Sequence, residues 1–234
     1  MNWMKKVAVA LVCLLPLGLQ AAKVDTLQVK SPSMDKSIEV VVVSPDVAAT
    51  KACPVIYLLH GYGGNARTWV GIKPDLSKIA DEKGIFFVCP DGKNTWYWDS
   101  PLNADVRYET FISNELVKYV DSHYKTVADR KGRAITGLSM GGHGAMWNGL
   151  RHSDVFSAAG STSGGVDIRP FPKNWEMSVQ IGEKAKYPEN WEKYTVINLV
   201  PTLRKDQIAL IFDCGDSDFF LEVNKNYHEA LLKQ

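Results

Sequence analysis

The chain has 234 residues, of which 45% are hydrophobic and 23% are charged, and its formal net charge at pH 7 is +1. This length and apolar content can bury the core of one globular domain, and the charge balance excludes a strongly basic nucleic-acid-binding surface. No cluster of His and Cys has metal-site spacing. The sequence therefore predicts no metal, no other cofactor and no nucleic-acid partner.

The first 22 residues have the layout of a secretory signal peptide. Two lysines precede an apolar run at residues 7–19, and small and polar residues follow it. The run is shorter than the roughly 20 residues that a membrane-spanning helix needs. We therefore expect cleavage near Ala21 or Ala22, export to the periplasm or the extracellular space, and no stable membrane anchor afterwards. The mature domain would occupy residues 23–234.

The mature chain begins with a predicted hairpin and continues with alternating strands and helices. Residues 24–30 and 37–44 alternate apolar and polar side chains around a turn-forming Ser-Pro-Ser segment. Short apolar runs then predict parallel strands covered on both faces, at residues 54–59, 85–88, 134–136, 156–159 and 208–212. Helical patterns occur at residues 75–83, 110–124 and 140–151. This alternation predicts an α/β fold with a mostly parallel central sheet flanked by helices.

Ser139 lies in the segment Gly-Leu-Ser-Met-Gly at residues 137–141, between a predicted strand and a predicted helix. A nucleophilic serine on a sharp strand-to-helix turn needs this G-x-S-x-G spacing, because the strained backbone leaves little room for neighbouring side chains. The alternative, a chance match in a glycine-rich loop, does not explain the strand and helix around it. Ser139 is therefore the predicted nucleophile.

Acyl transfer through a serine also needs backbone donors for the oxyanion, a histidine base and a carboxylate that orients the base. The loop H-G-Y-G-G at residues 60–64 directly follows the first parallel strand. Loops of this kind direct backbone N–H groups at a developing oxyanion. We predict that the N–H groups of Tyr62 and Met140 are the two donors.

The carboxylate is expected after a later strand, where spacing alone leaves Asp213, Asp216 and Asp218 open. Four segments, H-G-Y-G-G, P-D-G-K-N-T-W-Y-W-D-S-P, G-L-S-M-G-G-H-G-A and D-C-G-D-S-D-F-F, resemble the esterase D family of α/β-hydrolases. That family includes feruloyl and acetylxylan esterases, S-formylglutathione hydrolases and mycolyltransferases. The resemblance runs from about residue 24 to the end of the chain and implies an α/β-hydrolase fold. It also implies Ser139 as nucleophile, Asp218 as triad acid, and Tyr62 with Met140 as oxyanion donors.

The resemblance fails at the histidine base. The triad of α/β-hydrolases follows the order Ser, acid, His, and the only histidine after Asp218 is His228, in a predicted amphipathic helix. Family members carry their catalytic histidine further on, in a G-H-x-W-like segment that these 234 residues lack. We therefore expect a C-terminally truncated hydrolase domain without its catalytic histidine and last strand, and nearly inactive.

Candidate substrate contacts are Trp98 and Ser161, which lie in a predicted aromatic loop and near a predicted strand end. The aromatic residues placed in loops are Trp96, Tyr97, Trp98, Trp175 and Trp191. Rings in such loops either stack on a sugar or feruloyl ring or pack a lid, here residues 164–207, onto the sheet. Three cysteines of the mature chain, Cys53, Cys89 and Cys214, permit one disulfide and require none.

Export favours extracellular esters, such as feruloyl or acetyl groups on polysaccharide, over a cytosolic glutathione thioester. We therefore expect a secreted serine carboxylic-ester hydrolase that works through an acyl-enzyme and acts on a small-molecule or polysaccharide ester. The alternative is a non-catalytic protein that binds carbohydrate or esters on the hydrolase scaffold. The oxyanion loop together with a serine and an acid favours the enzyme, because a binding role does not need all three.

Overall fold

The computed structural model describes residues 22–234, so the predicted signal peptide lies outside the described residues apart from Ala22. One sheet is formed by β1 (Lys23–Ser31), β2 (Lys36–Ser44), β3 (Val55–Leu59), β4 (Phe86–Pro90), β5 (Arg133–Gly137), β6 (Ala158–Thr162) and β7 (Ala209–Asp213). The helices are α1 (Thr68–Ile72), α2 (Leu76–Lys83), α3 (Tyr108–Thr110), α4 (Leu116–His123), α5 (Met140–Arg151), α6 (Met177–Ile181), α7 (Pro188–Lys193) and α8 (Leu221–Leu232). Within this part of the chain, each helix is too short or too polar to span a bilayer.

The sheet has the strand order β1-β2-β4-β3-β5-β6-β7. The β1–β2 and β2–β4 pairs are antiparallel, and every pair from β4 to β7 is parallel. The predicted hairpin and the mostly parallel sheet are therefore confirmed. Because parallel strands end at one edge of the sheet, the loops after β3, β4, β5, β6 and β7 meet there.

The residues of β2 show how the two faces of the sheet are buried. Val40 and Val42 belong to the larger apolar cluster, whereas Val41 and Val43 belong to a second cluster with Leu58 and α2. Successive side chains of a strand point to opposite faces, so this uninterrupted valine run fits a strand that is covered on both sides. Helices therefore shield both faces and leave the strand ends to form a site.

The helix predicted at residues 110–124 contains a wider turn. A π-helical segment, Phe111–Glu115, joins α3 to α4. At its end the Glu115 carboxylate accepts hydrogen bonds from the Ser31 hydroxyl at 2.5 Å and from the Ser33 N–H at 2.8 Å. The π-helical segment thus holds the turn of the β1–β2 hairpin.

The opposite edge of the sheet is β7, which among residues 22–234 pairs only with β6. The outward side chain of Ile211 on this strand is 76% exposed. An open strand edge presents unpaired backbone groups and an apolar surface. The predicted absence of a further strand stays a prediction.

Two sequence predictions need correction in detail. The strand predicted at residues 156–159 begins at Ala158 and runs to Thr162, because the buried Phe156 packs against Tyr57 before strand pairing starts. Trp191, predicted in a loop, lies in α7 within the lid segment. The lid also contains α6 and a 3-10 helix, Val196–Thr202, so it is partly helical.

Candidate active site

Ser139 occupies the strained turn that its motif predicts. It lies between β5 and α5 with φ 55° and ψ −118°, a conformation that costs a non-glycine residue about 1–3 kcal/mol. Its N–H donates to the carbonyl oxygen of Thr162 at 2.9 Å. The neighbouring strand β6 therefore helps to hold the strained residue in place.

The flanking glycines are required by close backbone packing. A methyl group on Gly141 would overlap the carbonyl oxygen of Leu59, and one on Gly137 would overlap the backbone of Gly141. The elbow is therefore seated directly on the end of β3. On the other side, a Cβ on Gly61 would lie 3.5 Å from the Cβ of Ser139, so the H-G-Y-G-G loop is in contact with the serine.

The two predicted oxyanion donors are free to donate. Met140 is the first residue of α5, so its N–H has no partner inside the helix. Neither this group nor the Tyr62 N–H is hydrogen-bonded to another residue in the described part of the chain. The positive end of the α5 dipole adds to the attraction for an anion at this position.

A residue that the sequence did not single out, Asn94, positions the oxyanion loop. Its Oδ1 accepts the N–H of Gly63 at 2.9 Å, and its Nδ2 donates to the Glu176 carboxylate at 3.2 Å. Asn94 therefore links the oxyanion loop to the lid at the start of α6. Only its place in the P-D-G-K-N segment hinted at a role, because the partners are distant in sequence.

His60 is buried and cannot serve as the base. Its Nε2 is 2.9 Å from the backbone nitrogen of Gly92, which can only donate, so this ring nitrogen accepts. The proton is then on Nδ1, which donates to the Gly61 carbonyl oxygen at 2.7 Å. The Asp91 carboxylate, 3.5 Å from Nε2, consequently receives no proton from it. Both ring nitrogens are therefore engaged, and the Nε2 contact connects the loops after β3 and β4.

His143 is held in the same manner, one turn after Ser139. Its Nδ1 lies 2.8 Å from the carbonyl oxygen of Gly165, and its Nε2 accepts the indole N–H of Trp98 at 2.8 Å. Burial lowers the pKa of His143 to about 4, although the hydrogen bond to Gly165 opposes this change. His143 is therefore a neutral structural residue at pH 7.

The remaining histidines are also engaged away from the serine. His152 contacts the Glu109 carboxylate at 2.8 Å, and the His123 ring nitrogen lies 2.8 Å from the carbonyl oxygen of Tyr119. His228 is exposed on α8, with its ring 6.1 Å from that of Phe212. Among residues 22–234, no histidine is hydrogen-bonded to Ser139 or to Asp218. The predicted lack of a triad base stays a prediction that this geometry supports.

The predicted acid lies in the loop between β7 and α8. Asp218 is partly buried, and its Oδ1 accepts the N–H of Phe220 at 2.7 Å, which leaves Oδ2 without a partner among the described residues. The backbone of Asp213 lies nearer to the elbow, since its carbonyl accepts the N–H of Ser163, which follows Thr162. The Asp213 side chain is exposed. Asp218 thus remains the predicted acid, with one oxygen free for a base.

Comparison with known proteins identifies the family to which this chain belongs. Residues 31–232 match the model of the family described as Esterase. The chain belongs to this Esterase family. It is 35% identical over 123 residues to an esterase of Mycobacterium tuberculosis, an alignment that covers 50% of this chain and 26% of that protein. It is 26% identical to an acetyl esterase of Caldicellulosiruptor saccharolyticus over 76% of this chain and 71% of that one.

Solved structures show that this esterase has the α/β-hydrolase fold. A ferulic acid esterase superposes with a TM-score of 0.74 and 29% identity, covering 92% of this chain and 87% of that one. An S-formylglutathione hydrolase of Agrobacterium tumefaciens superposes with a TM-score of 0.75 and 22% identity, covering 91% and 83%. The second likeness concerns the fold alone. The resemblance inferred from the four motifs is thereby confirmed.

Both predicted substrate contacts of the esterase are corrected by their burial. Trp98 is 0% exposed, with its indole N–H on His143, so it offers no surface to a ligand. Ser161 is 3% exposed and lies inside β6, where its hydroxyl packs against Gly142 and Gly164. Trp96 and Tyr97 are equally buried. This aromatic segment packs the lid and α5 together.

A different aromatic pair is open to solvent beside the predicted acid. Phe219 is 60% exposed and stacks on Trp175 with ring centroids 5.2 Å apart and planes 29° apart. Phe219 directly follows Asp218, and Trp175 directly precedes Glu176, which holds Asn94. The pair, called here the aromatic platform, therefore connects the acid loop to the lid beside the oxyanion loop.

The cysteines of the described residues are unpaired, and these residues contain no cluster of metal ligands. Cys53, Cys89 and Cys214 are free thiols in the structure. Burial raises the pKa of Cys89 far above its ordinary value, which keeps that thiol protonated and unreactive. Within residues 22–234, no group of three or more His, Cys, Asp or Glu side chains is arranged to hold a metal ion.

Proposed function

We propose that this esterase cleaves esters of aromatic carboxylic acids, such as feruloyl groups on polysaccharide, through an acyl-enzyme at Ser139. The observation that carries the choice of acid is the aromatic platform. The exposed ring of Phe219, held by stacking on the partly buried Trp175, can pack on a third planar ring, whereas an acetyl group is too small to cover it. The printed name of one similar structure, ferulic acid esterase, supports the same class of acyl group.

The backbone at the platform is strained, which also favours a functional role. Trp175 has φ 49° and Glu176 has φ 53°, two consecutive left-handed residues of which neither is glycine. Such conformations persist where the surrounding structure imposes them, and they concentrate at ligand sites. The Trp175 carbonyl oxygen accepts the indole N–H of Trp96 at 3.2 Å. The buried Trp96 therefore helps to hold the partly buried Trp175 in place.

In the proposed reaction, the Ser139 oxygen forms a bond to the ester carbonyl carbon while a base removes the hydroxyl proton. The resulting oxyanion accepts hydrogen bonds from the N–H groups of Tyr62 and Met140. The alcohol leaves with a proton, and water then hydrolyses the acyl-enzyme and releases the acid. No histidine of residues 22–234 is engaged as the base, so we propose that residues 1–234 alone react slowly.

A second candidate is a non-catalytic binding protein that retains the scaffold. The engagement of His60, His123, His143 and His152 with groups other than the serine favours it. The strained Ser139 with two unpaired N–H donors favours the enzyme, because a binding role does not need this arrangement. Covalent labelling of Ser139 by a fluorophosphonate, which reports its reactivity, separates the two.

Replacing Phe219 with alanine tests the choice of acyl group. We expect the ratio of kcat/KM for p-nitrophenyl ferulate to that for p-nitrophenyl acetate to fall about tenfold, because one face of a stacked ring is lost. The matched control is Val179→Ala, which removes an exposed apolar side chain from α6 of the same lid. An unchanged ratio in Phe219→Ala, or preference of the wild type for tributyrin over methyl ferulate, contradicts the proposal.

We also propose that residues 1–21 direct export and are removed. The backbone nitrogen of Ala22 lies 2.8 Å from Oδ2 of Asp81, and Ala22 is buried. Cleavage after Ala21 would turn this nitrogen into an ammonium group that pairs with the carboxylate. We expect the intact mass of the exported protein to begin at Ala22. A mass that includes residues 1–21 contradicts export with cleavage.

A further inference from the structure

Beside the oxyanion loop, a polar cavity of about 400 Å³ opens at the carboxyl edge of the sheet. Its walls are the β1–β2 hairpin, the loop after β4 and the residues after the oxyanion loop. The side chains used below are Gln28, Glu39, Asn65, Arg67, Asp91 and Lys93. We propose that this cavity binds an uncharged sugar unit of the polysaccharide whose ester is cleaved. This inference rests on the proposed function.

The cavity lies within reach of the reaction centre but is not part of it. Neighbouring strands are about 4.8 Å apart, so β4 lies roughly 10 Å from β5, which ends at the elbow. Asn65 follows Tyr62 by three residues, which span at most about 11 Å. A methyl group on Gly63, between them, would meet no atom within 4 Å. The loop is therefore uncovered at Gly63, and the separation suits a sugar beyond the esterified one.

The charges around the cavity favour a neutral ligand. Arg67 and Lys93 face Glu39 and Asp91, and the Lys93 ammonium lies 2.6 Å from the Asp91 carboxylate. Burial alone raises the pKa of Asp91, but the hydrogen bonds from Lys93 hold it below its ordinary value, so the carboxylate is ionised at pH 7. A phosphate or a carboxylate ligand would meet two negative side chains here, which costs affinity.

The cavity offers both donors and acceptors, of which Arg67 and Asn65 are held by hydrogen bonds. A guanidinium nitrogen of Arg67 donates to the Thr26 hydroxyl at 2.9 Å, and the Arg67 N–H donates to Asn65 Oδ1 at 2.9 Å. The side chains of Gln28 and Glu39 have no hydrogen-bond partner among the described residues. A sugar hydroxyl both donates and accepts, so it can use an amide or a carboxylate together with an arginine.

The backbone at Lys93, in the wall of the cavity, has a left-handed conformation. Its φ is 49°, and its N–H donates to Oδ1 of Asp91 at 2.9 Å. The loop after β4 thus turns sharply at the cavity wall and presents the lysine and the aspartate together. Backbone strain of this kind is retained where a site needs it. The same loop carries Asn94, which holds the oxyanion loop, so the cavity and the reaction centre share one support.

The test is calorimetric titration of wild-type protein with β-1,4-xylotetraose, which carries no ester. We expect saturable binding that weakens about tenfold in Arg67→Ala and in Glu39→Gln, because each variant loses a charge-assisted hydrogen bond. Arg204→Ala, an arginine remote from this cavity, is the matched control. Thermal unfolding of each variant confirms that it is folded, and two variants from different walls guard against a local collapse.

Fluorophosphonate labelling of Ser139 is measured on the same protein. It distinguishes a failure of the cavity inference from a failure of the proposed function. Absence of xylotetraose binding by a protein whose Ser139 is labelled overturns the cavity inference and leaves the proposed function standing. Wild-type affinity in both variants, or tighter binding of tetragalacturonate than of xylotetraose, also overturns it. Failure of labelling contradicts the proposed function, whereas the titration still decides whether the cavity binds a neutral sugar.

Discussion

Residues 1–234 are expected to hydrolyse p-nitrophenyl acetate about 10⁴-fold or more slowly than a serine esterase with a complete triad. Loss of the histidine from such a triad costs several orders of magnitude, while the oxyanion donors and binding retain a smaller acceleration over water. The physical reason is that, among residues 22–234, no histidine is hydrogen-bonded to the Ser139 hydroxyl to accept its proton. Steady-state release of p-nitrophenol by the purified chain measures the rate, and rates typical of serine esterases would refute the proposal.

Added imidazole tests whether a base is lacking, because it can accept the proton of the Ser139 hydroxyl. We expect imidazole to accelerate turnover by the wild-type chain more than it accelerates the reaction with Ser139→Ala, which corrects for its own reaction with the ester. His228→Gln is the matched variant, because His228 is the only histidine after Asp218. Loss of the residual activity in His228→Gln would identify His228 as the base and contradict our assignment of a missing one.

Lowering the pH from about 7 to 4 is expected to destabilise the fold through His143. Its folded-state pKa of about 4 lies below the ordinary value of 6.5, so the unfolded chain binds the proton first. Stability is therefore retained above pH 6.5 and is lost as the pH falls toward 4. The shift corresponds to about 3 kcal/mol, a large part of a typical folding free energy. Urea unfolding at a series of pH values measures it.

His143→Gln is the variant that isolates this effect. A glutamine amide can donate to the Gly165 carbonyl oxygen and accept from the Trp98 indole, but it does not titrate. The groups packed on the His143 ring are Trp96, Trp98 and Trp147, none of which is charged. The slope of stability against pH should therefore flatten in His143→Gln and remain in the control His228→Gln. An unchanged slope in His143→Gln would show that another group is responsible.

The sequence was most informative where local chemistry determines the structure. Helix α5 was predicted at residues 140–151 and has those bounds, because the G-x-S-x-G turn marks its start and small residues allow it to pack on the sheet. The strand after it begins two residues later and ends three residues later than predicted. An apolar run reports burial and not pairing, and Phe156 is buried without belonging to the strand.

The roles of the buried polar groups depended on partners far away in sequence. The residues near His143 in the sequence do not indicate that its ring accepts a hydrogen bond from the indole N–H of Trp98, which lies 45 residues earlier. The same holds for Asn94, whose contacts are with Gly63 and Glu176. The sequence pattern of a tryptophan in a loop is the same whether its side chain packs a lid or faces a ligand. Only the burial of each side chain in the structure distinguishes Trp98, which is 0% exposed, from Phe219 of the aromatic platform, which is 60% exposed.

The π-helical segment between α3 and α4 separates two carboxylates that hold different parts of the fold. Just before it, the Glu109 carboxylate accepts hydrogen bonds from Trp147 at 2.7 Å and Arg151 at 2.8 Å, both on the helix that begins after Ser139. At its end, Glu115 holds the hairpin turn at Ser31. A π-helical turn accommodates about one extra residue, and each residue of an α-helix turns the chain by roughly 100°. Deleting one residue here would preserve a continuous helix, yet it would leave only one of the two carboxylates facing its partners.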